Sequence, residues 1–217
     1  MAASPSRRSL LASLAVSPLA VRSARAEAKR LRLVAFGDSL TAGYGLARAD
    51  GFAKRLETTL RAEGIDVEVV DAGVSGDTTD MGLARLEWSV PTDAAAVIVE
   101  FGANDMLRGL PPAEARANLD EIVGRLTARG QKVLIAGMVA GRNMGAAYAR
   151  EFDPIFAEVA RKHGALLYPF FLDGVALDPK MVLPDGLHPN AEGVKRIVAG
   201  ILPEVRRLVA AARDGRT

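Results

Sequence analysis

From residue 31 onwards the apolar positions come in short, nearly unbroken runs, and between the runs they recur every third or fourth residue. Leu31-Arg32-Leu33-Val34-Ala35-Phe36 predicts a strand, followed by a Gly-rich turn and an amphipathic helix from about Phe52 to Glu63. A second strand is predicted from Val67 to Asp71, and a helix from about Thr79 to Glu87. The run from Ala95 to Phe101 is apolar at nearly every position, the pattern of a central parallel strand covered on both faces. A helix that opens at Pro111-Pro112 and closes at Gly130 follows the N-terminal Pro, C-terminal Gly asymmetry. Lys132 to Ala136 is the fourth strand, one helix is predicted from about Ala147 to His163, Ala165 to Tyr168 is the fifth strand, and a last helix runs from about Ala191 to Ala212.

Strands that alternate with helices imply right-handed crossovers, hence a parallel sheet with helices on both faces. No linker, repeat or low-complexity block interrupts residues 31–217, so one α/β domain is predicted. In an open parallel sheet, ligands bind beyond the carboxyl ends of the strands. The unusual residues of this chain lie there: Gly37-Asp38-Ser39-Leu40 after the first strand, Ser75-Gly76-Asp77-Thr78 after the second, and Gly102-Ala103-Asn104-Asp105 after the third. Asp185-Gly186-Leu187-His188-Pro189-Asn190 lies in the long loop before the final helix.

The 217 residues include no cysteine, which excludes disulfide scaffolds, thiolate metal sites and Cys nucleophiles. An apolar share of 49% with 25% charged residues is that of a globular protein and not of a disordered or fibrous one. The formal charge of +2 hints at an acidic partner, but its location changes that reading. Residues 1–26 hold Arg7, Arg8, Arg22 and Arg25 and no acid, and without them 24 basic residues face 26 acidic ones. This segment has a polar start ending in Arg7-Arg8, an apolar stretch from Leu10 to Val21 and a small-x-small site at Ala24-Arg25-Ala26, the order of a cleaved export signal. The stretch is too short to span roughly 30 Å of hydrocarbon, so no stable membrane anchor is expected. The paired arginines fit the twin-arginine route and a periplasmic or secreted destination; a basic disordered tail is the alternative. No basic patch interleaved with aromatics remains, so nucleic acid is not expected as a partner.

The four polar clusters fit acyl transfer. Ser39 sits in a tight turn at a strand end, and a serine hydroxyl needs a base within hydrogen-bond reach. Of the two histidines, His163 ends a predicted helix before Gly164, where a cation complements the helix dipole. His188 stands in a loop three residues after Asp185, a spacing that lets the carboxylate accept from Nδ1 while Nε2 faces the serine; a plain surface pair is equally compatible with that spacing. Asn104, Gly76 and the Ser39 backbone offer N–H donors for an oxyanion. Taken singly, Gly76 also fits a turn and Asn104 a helix cap or Asx-turn; their joint placement after successive strands favours the oxyanion reading.

At these residues the chain resembles the SGNH (GDSL-type) hydrolases, and within them the bacterial thioesterase I/arylesterase, lysophospholipase-like branch. Gly37 to Gly45 (GDSLTAGYG), Ser75 to Thr79 (SGDTT), Gly102 to Asp105 (GAND) followed by Leu107-Arg108-Gly109, and Asp185 to Asn190 (DGLHPN) match the four family blocks in order. The resemblance implies a three-layer α/β/α, flavodoxin-like fold with about five parallel strands, and assigns Ser39, His188 and Asp185 to a triad and Ser39, Gly76 and Asn104 to the oxyanion hole. It implies no metal or organic cofactor and a small-molecule or lipid ester as substrate: aryl or short-to-medium acyl esters, thioesters or lysophospholipids, with carbohydrate O-acetyl esters as the alternative. Ala103 and Met106 depart from the Gly-Gly-Asn-Asp-Gly common in this branch, and Met106 brings a flexible apolar side chain to the mouth. The stretch Gly141-Arg142-Asn143-Met144-Gly145 before Tyr148 corresponds to a loop lining the acyl site, so Met106, Asn143 and Tyr148 are candidate substrate contacts. Two rivals remain at this point: Asp38, Asp77, Asp105 and Asp185 gathered around Mg²⁺ for phosphoryl chemistry, and a non-catalytic periplasmic binding module.

Overall fold

The computed structural model describes residue 1 and residues 30–215. The predicted export signal, residues 1–26, therefore lies outside the described residues except for Met1. Five parallel strands form one sheet: β1 Leu31–Gly37, β2 Val67–Gly73, β3 Ala96–Glu100, β4 Lys132–Ala136 and β5 Leu166–Tyr168, in the order β2-β1-β3-β4-β5. That is the flavodoxin-like order, whose direction of winding reverses between β1 and β3. The inner strands β1 and β3 are buried along nearly their whole length, which is why their sequences show apolar runs without alternation.

Helices cover both faces. On one side α2 (Phe52–Ala62) packs against α8 (Ala191–Asp214); on the other α3 (Thr79–Ser89), α5 (Pro112–Ala128) and α7 (Ile155–His163) pack in succession. The amphipathic stripe of α2 buries Phe52, Leu56 and Leu60, and that of α8 buries Val194, Ile197, Ile201, Val205 and Leu208. Both single-turn helices, α1 (Ser39–Ala42) and α4 (Ala103–Leu107), fall where the sequence predicts only turns, directly after β1 and β3. No described helix is long and apolar enough to cross a membrane.

One predicted element is corrected. The single helix expected from Ala147 to His163 is two helices, α6 (Gly145–Phe152) and α7, broken at Asp153-Pro154. Pro154 has no N–H to continue the ladder, and its ring would collide with the carbonyl four residues earlier. The break is also anchored, because the Asp153 carboxylate accepts the Ala140 N–H at 2.8 Å and ties the helix junction to the loop after β4.

Candidate active site

The turn after β1 is shaped by what Gly37 lacks. A Cβ there would overlap Thr41 Oγ1 and stand 2.5 Å from the Glu100 carbonyl oxygen, so only glycine lets α1 fold back over the end of the sheet. Asp38 is the N-cap of α1, its Oδ1 accepting the Leu40 N–H at 2.9 Å, and Ser39 is the first residue of the helix. The serine thus stands at the β1/β3 switch point, beside the crevice the fold itself creates.

His188 reaches Ser39 from the loop before α8. Its Nε2 lies 3.0 Å from Ser39 Oγ, and its Nδ1 lies 2.7 Å from Asp185 Oδ2. Asp185 Oδ1 accepts the N–H groups of Leu187 (2.9 Å) and His188 (3.0 Å), so one carboxylate folds the loop and orients the imidazole. Those donors, the His188 N–H above all, hold the Asp185 carboxyl down to about 2. Asn190 closes the loop: it caps α8 by accepting from Glu192 and Gly193, and its amide donates to the Lys180 carbonyl. The Tyr44 ring lies against the imidazole with centroids 4.4 Å apart, a contact that nothing in the apolar pattern signals. His163 instead sits between α7 and α5, its Nε2 2.8 Å from Asp120 Oδ1.

Gly76 has φ +90, which other residues rarely adopt, and its carbonyl accepts from Arg108 at 2.6 Å. Among the described residues the N–H groups of Ser39 and Gly76 donate to no protein acceptor. Asn104, on α4, differs: its Nδ2 donates both to Asp38 Oδ2 (2.9 Å) and to the Asp77 carbonyl (2.9 Å). These acceptors neighbour Ser39 and Gly76 in sequence, so the amide bridges the backbone segments that carry the other two donors. Arg85, from α3, braces the same edge. It pairs with Asp77 at 2.5 Å, donates to the carbonyls of Gly37 and Ala72, and lies over the Phe36 ring.

The four aspartates of the metal reading are each committed separately: Asp38 to Leu40 and Asn104, Asp77 to Arg85, Asp105 to the N–H and hydroxyl of Thr79, and Asp185 to His188. Among the described residues no three His, Asp or Glu side chains are grouped so as to hold a metal ion. Met106 is half-buried and its sulfur accepts the Gly141 N–H at 3.1 Å, joining α4 to the 141–145 loop. Asn143 lies on the 3-10 turn Arg142–Met144 of that loop. The Tyr148 ring stacks on the buried Phe152 and its hydroxyl donates to the Leu110 carbonyl at 3.0 Å. Tyr148 therefore braces the loop after α4, with its polar end already occupied.

Asp38 gives a pH signature. Burial pushes its carboxyl up to about 6, against the Leu40 N–H, which favours the anion. A group whose native pKa is raised holds its proton more tightly when folded, so its contribution to stability is fullest below the ordinary carboxylate range and is lost as pH rises through about 6. The melting temperature of the wild type minus that of Asp38→Asn should therefore fall by about 3–6 °C between pH 4 and pH 6.5. Asp185, shifted the other way to about 2, contributes stability that is present above the ordinary carboxylate range and is lost as pH falls towards about 2, largely below this window. A flat difference in thermal scans across that range would show that Asp38 is not so perturbed.

The sequence profile of the GDSL-like Lipase/Acylhydrolase family matches residues 35–196. The chain is 36% identical over 178 residues to Esterase TesA of Pseudomonas aeruginosa, covering 82% of this chain and 89% of that one. It is 32% identical over 178 residues to Thioesterase 1/protease 1/lysophospholipase L1 of Escherichia coli K12, covering 82% and 84% of the two chains. AlinE4, described with its crystal structure as an SGNH-hydrolase family esterase, superposes with a TM-score of 0.70 at 46% identity, covering 82% and 96%. Fold and site together define an ester hydrolase of the three-layer α/β/α type. The chain belongs to the GDSL-like lipase/acylhydrolase family, the SGNH esterases.

Proposed function

We propose that this protein is an exported serine esterase in which Ser39 is the nucleophile, His188 the general base and acid, and Asp185 the group that orients and stabilises the imidazolium. The unbroken chain Asp185 Oδ2–His188 Nδ1 (2.7 Å) and His188 Nε2–Ser39 Oγ (3.0 Å) carries this reading. Ser39 Oγ attacks the ester carbonyl as its proton passes to Nε2, and the oxyanion is met by the N–H groups of Ser39 and Gly76 and by the Asn104 amide. His188 then gives that proton to the departing alcohol or thiol, leaving an acyl-serine. Water, deprotonated by the same nitrogen, releases the acid and restores the hydroxyl.

Aryl esters and short-to-medium acyl esters, with thioesters and lysophospholipids beside them, are the proposed substrates; the names of the relatives from Pseudomonas and Escherichia support that range. Half-buried Met106 and the 141–145 loop tied to it are the proposed acyl wall, with Asn143 and Tyr148 further along it. The twin arginines, apolar stretch and small-x-small site of residues 1–26 support export to the periplasm or beyond. The test is release of p-nitrophenol from esters ranging from acetate to palmitate: turnover of the short members is expected, and the chain length at which it fades reads the depth of the acyl site. No turnover of any member would overturn the esterase reading.

A further inference from the structure

Glu100 ends β3 directly opposite Gly37 of β1 and is almost wholly enclosed. Its Oε2 accepts the Thr41 hydroxyl at 2.8 Å and the Asp38 N–H at 3.3 Å, while its Oε1 is buried with no hydrogen-bond partner. Beside it lies Asp38, equally buried, with a donor on each oxygen: the Leu40 N–H on Oδ1 and the Asn104 amide on Oδ2. The two carboxyl groups adjoin, since Glu100 Oε2 accepts the backbone N–H of Asp38, and the charge on Asp38 disfavours ionisation of Glu100. Among the described residues neither forms an ion pair with lysine or arginine; the neighbouring Arg85 is spent on Asp77.

Two unpaired anions side by side in a buried site are strongly disfavoured, so one proton stays with the pair. The donors decide where. Asp38 is solvated as an anion by two N–H groups, whereas Glu100 has an oxygen that nothing solvates. We propose that Glu100 is a positioning residue for the esterase reaction: holding the proton itself, it leaves Asp38 as the anion, and Asp38 pins the Asn104 amide at the oxyanion site. Burial and then the Asp38 charge push the Glu100 carboxyl well above the usual carboxylate range, in agreement with this placement. The other charged groups around the pair are His188 from the loop before α8, whose charge favours ionised Asp38, Asp77 and Arg85 as a mutual pair from the β2–α3 side, and Asp105 on α4, bound to Thr79.

The arrangement gives the two Asn104 N–H bonds different tasks. The one on the Asp38 carboxylate is charge-assisted and acts as the pivot, and the one on the neutral Asp77 carbonyl is the weaker, which an oxyanion can draw away. Moving the proton from Glu100 to Asp38 would loosen the pivot and leave the donor misaimed. The inference rests on the esterase reading of the site, and absence of turnover in the wild type would fail that reading while leaving the protonation of Glu100 separately measurable.

The test compares E100M, E100Q and the wild type on p-nitrophenyl acetate, together with difference infrared spectra at pH 7 of the wild type and E100Q. E100M, which removes the hydrogen-bonding edge, should lose about 10- to 100-fold in kcat with KM within about threefold, as expected for an interaction realised in the transition state. E100Q, with the shape and hydrogen-bonding edge of the neutral acid, should recover most of that loss. The wild type should show a protonated-carboxyl band that E100Q lacks. Wild-type kcat in folded E100M, a loss in E100Q as large as in E100M, failure of E100Q to fold, or absence of the band would each overturn the proposal. If E100M itself does not fold, E100Q and the infrared band decide alone.

Discussion

Ser39→Ala is expected to lower kcat on p-nitrophenyl acetate by about 10⁶-fold, the scale seen when a serine nucleophile is removed, while leaving a residual rate above water from the remaining oxyanion donors. The protein should fold as before. Among the described residues the Ser39 hydroxyl has one protein partner, His188 Nε2, and the residue opens a helical turn capped by Asp38, where alanine is well tolerated. The melting temperature should therefore stay within about 3 °C of the wild type, since exposed or singly bonded side chains contribute little. Parallel loss of activity and of cooperative melting would point to damage to the fold instead. Retained turnover with an intact melt would remove Ser39 from the chemistry.

Asn104→Ala is expected to cost about 10²–10³ in kcat with little change in KM, because the amide meets charge that develops only as the carbonyl becomes tetrahedral. This variant differs from the serine variant in a second way. Losing the amide strips Asp38 Oδ2 of its donor in a buried site, which should destabilise the fold by about 1–3 kcal/mol. A lowered melting temperature together with a selective loss in kcat is thus the signature of an amide that serves both as donor and as tie between the turns after β1 and β2. An unchanged kcat would leave the oxyanion to the two backbone donors alone.

The five strands were legible because buried parallel strands are apolar on both faces, and β1, β3 and β4 stand out from the helical period around them. The clustering of the candidate residues was legible because a switch point gathers strand ends, which brings Ser39, Gly76 and Asn104 to one rim. What escaped is relational. Pro154 marks the break between α6 and α7 in plain sight, but the helical spacing on both sides conceals it. Glu100 reads as one polar residue in an apolar strand, and only the backbone contact through Gly37 reveals that it faces Asp38. The commitments of Asn104 to Asp38 and Asp77, and of Tyr44 to His188, join segments far apart in sequence. Arg85 shows the same limit: on α3 it looks like a solvated charge, yet it holds Asp77 and the ends of β1 and β2.

The central claim, that Ser39 is the atom-bearing nucleophile of an acyl-enzyme, is tested most directly by treating the wild-type protein with a p-nitrophenyl phosphonate ester and locating the adduct by peptide mass spectrometry. One phosphonyl group per chain on the peptide containing Ser39, matched by one equivalent of p-nitrophenol and complete loss of esterase activity, is the expected result. Full ester turnover in a protein that takes up no phosphonyl group, or inactivation with the adduct on a residue other than Ser39, would contradict it.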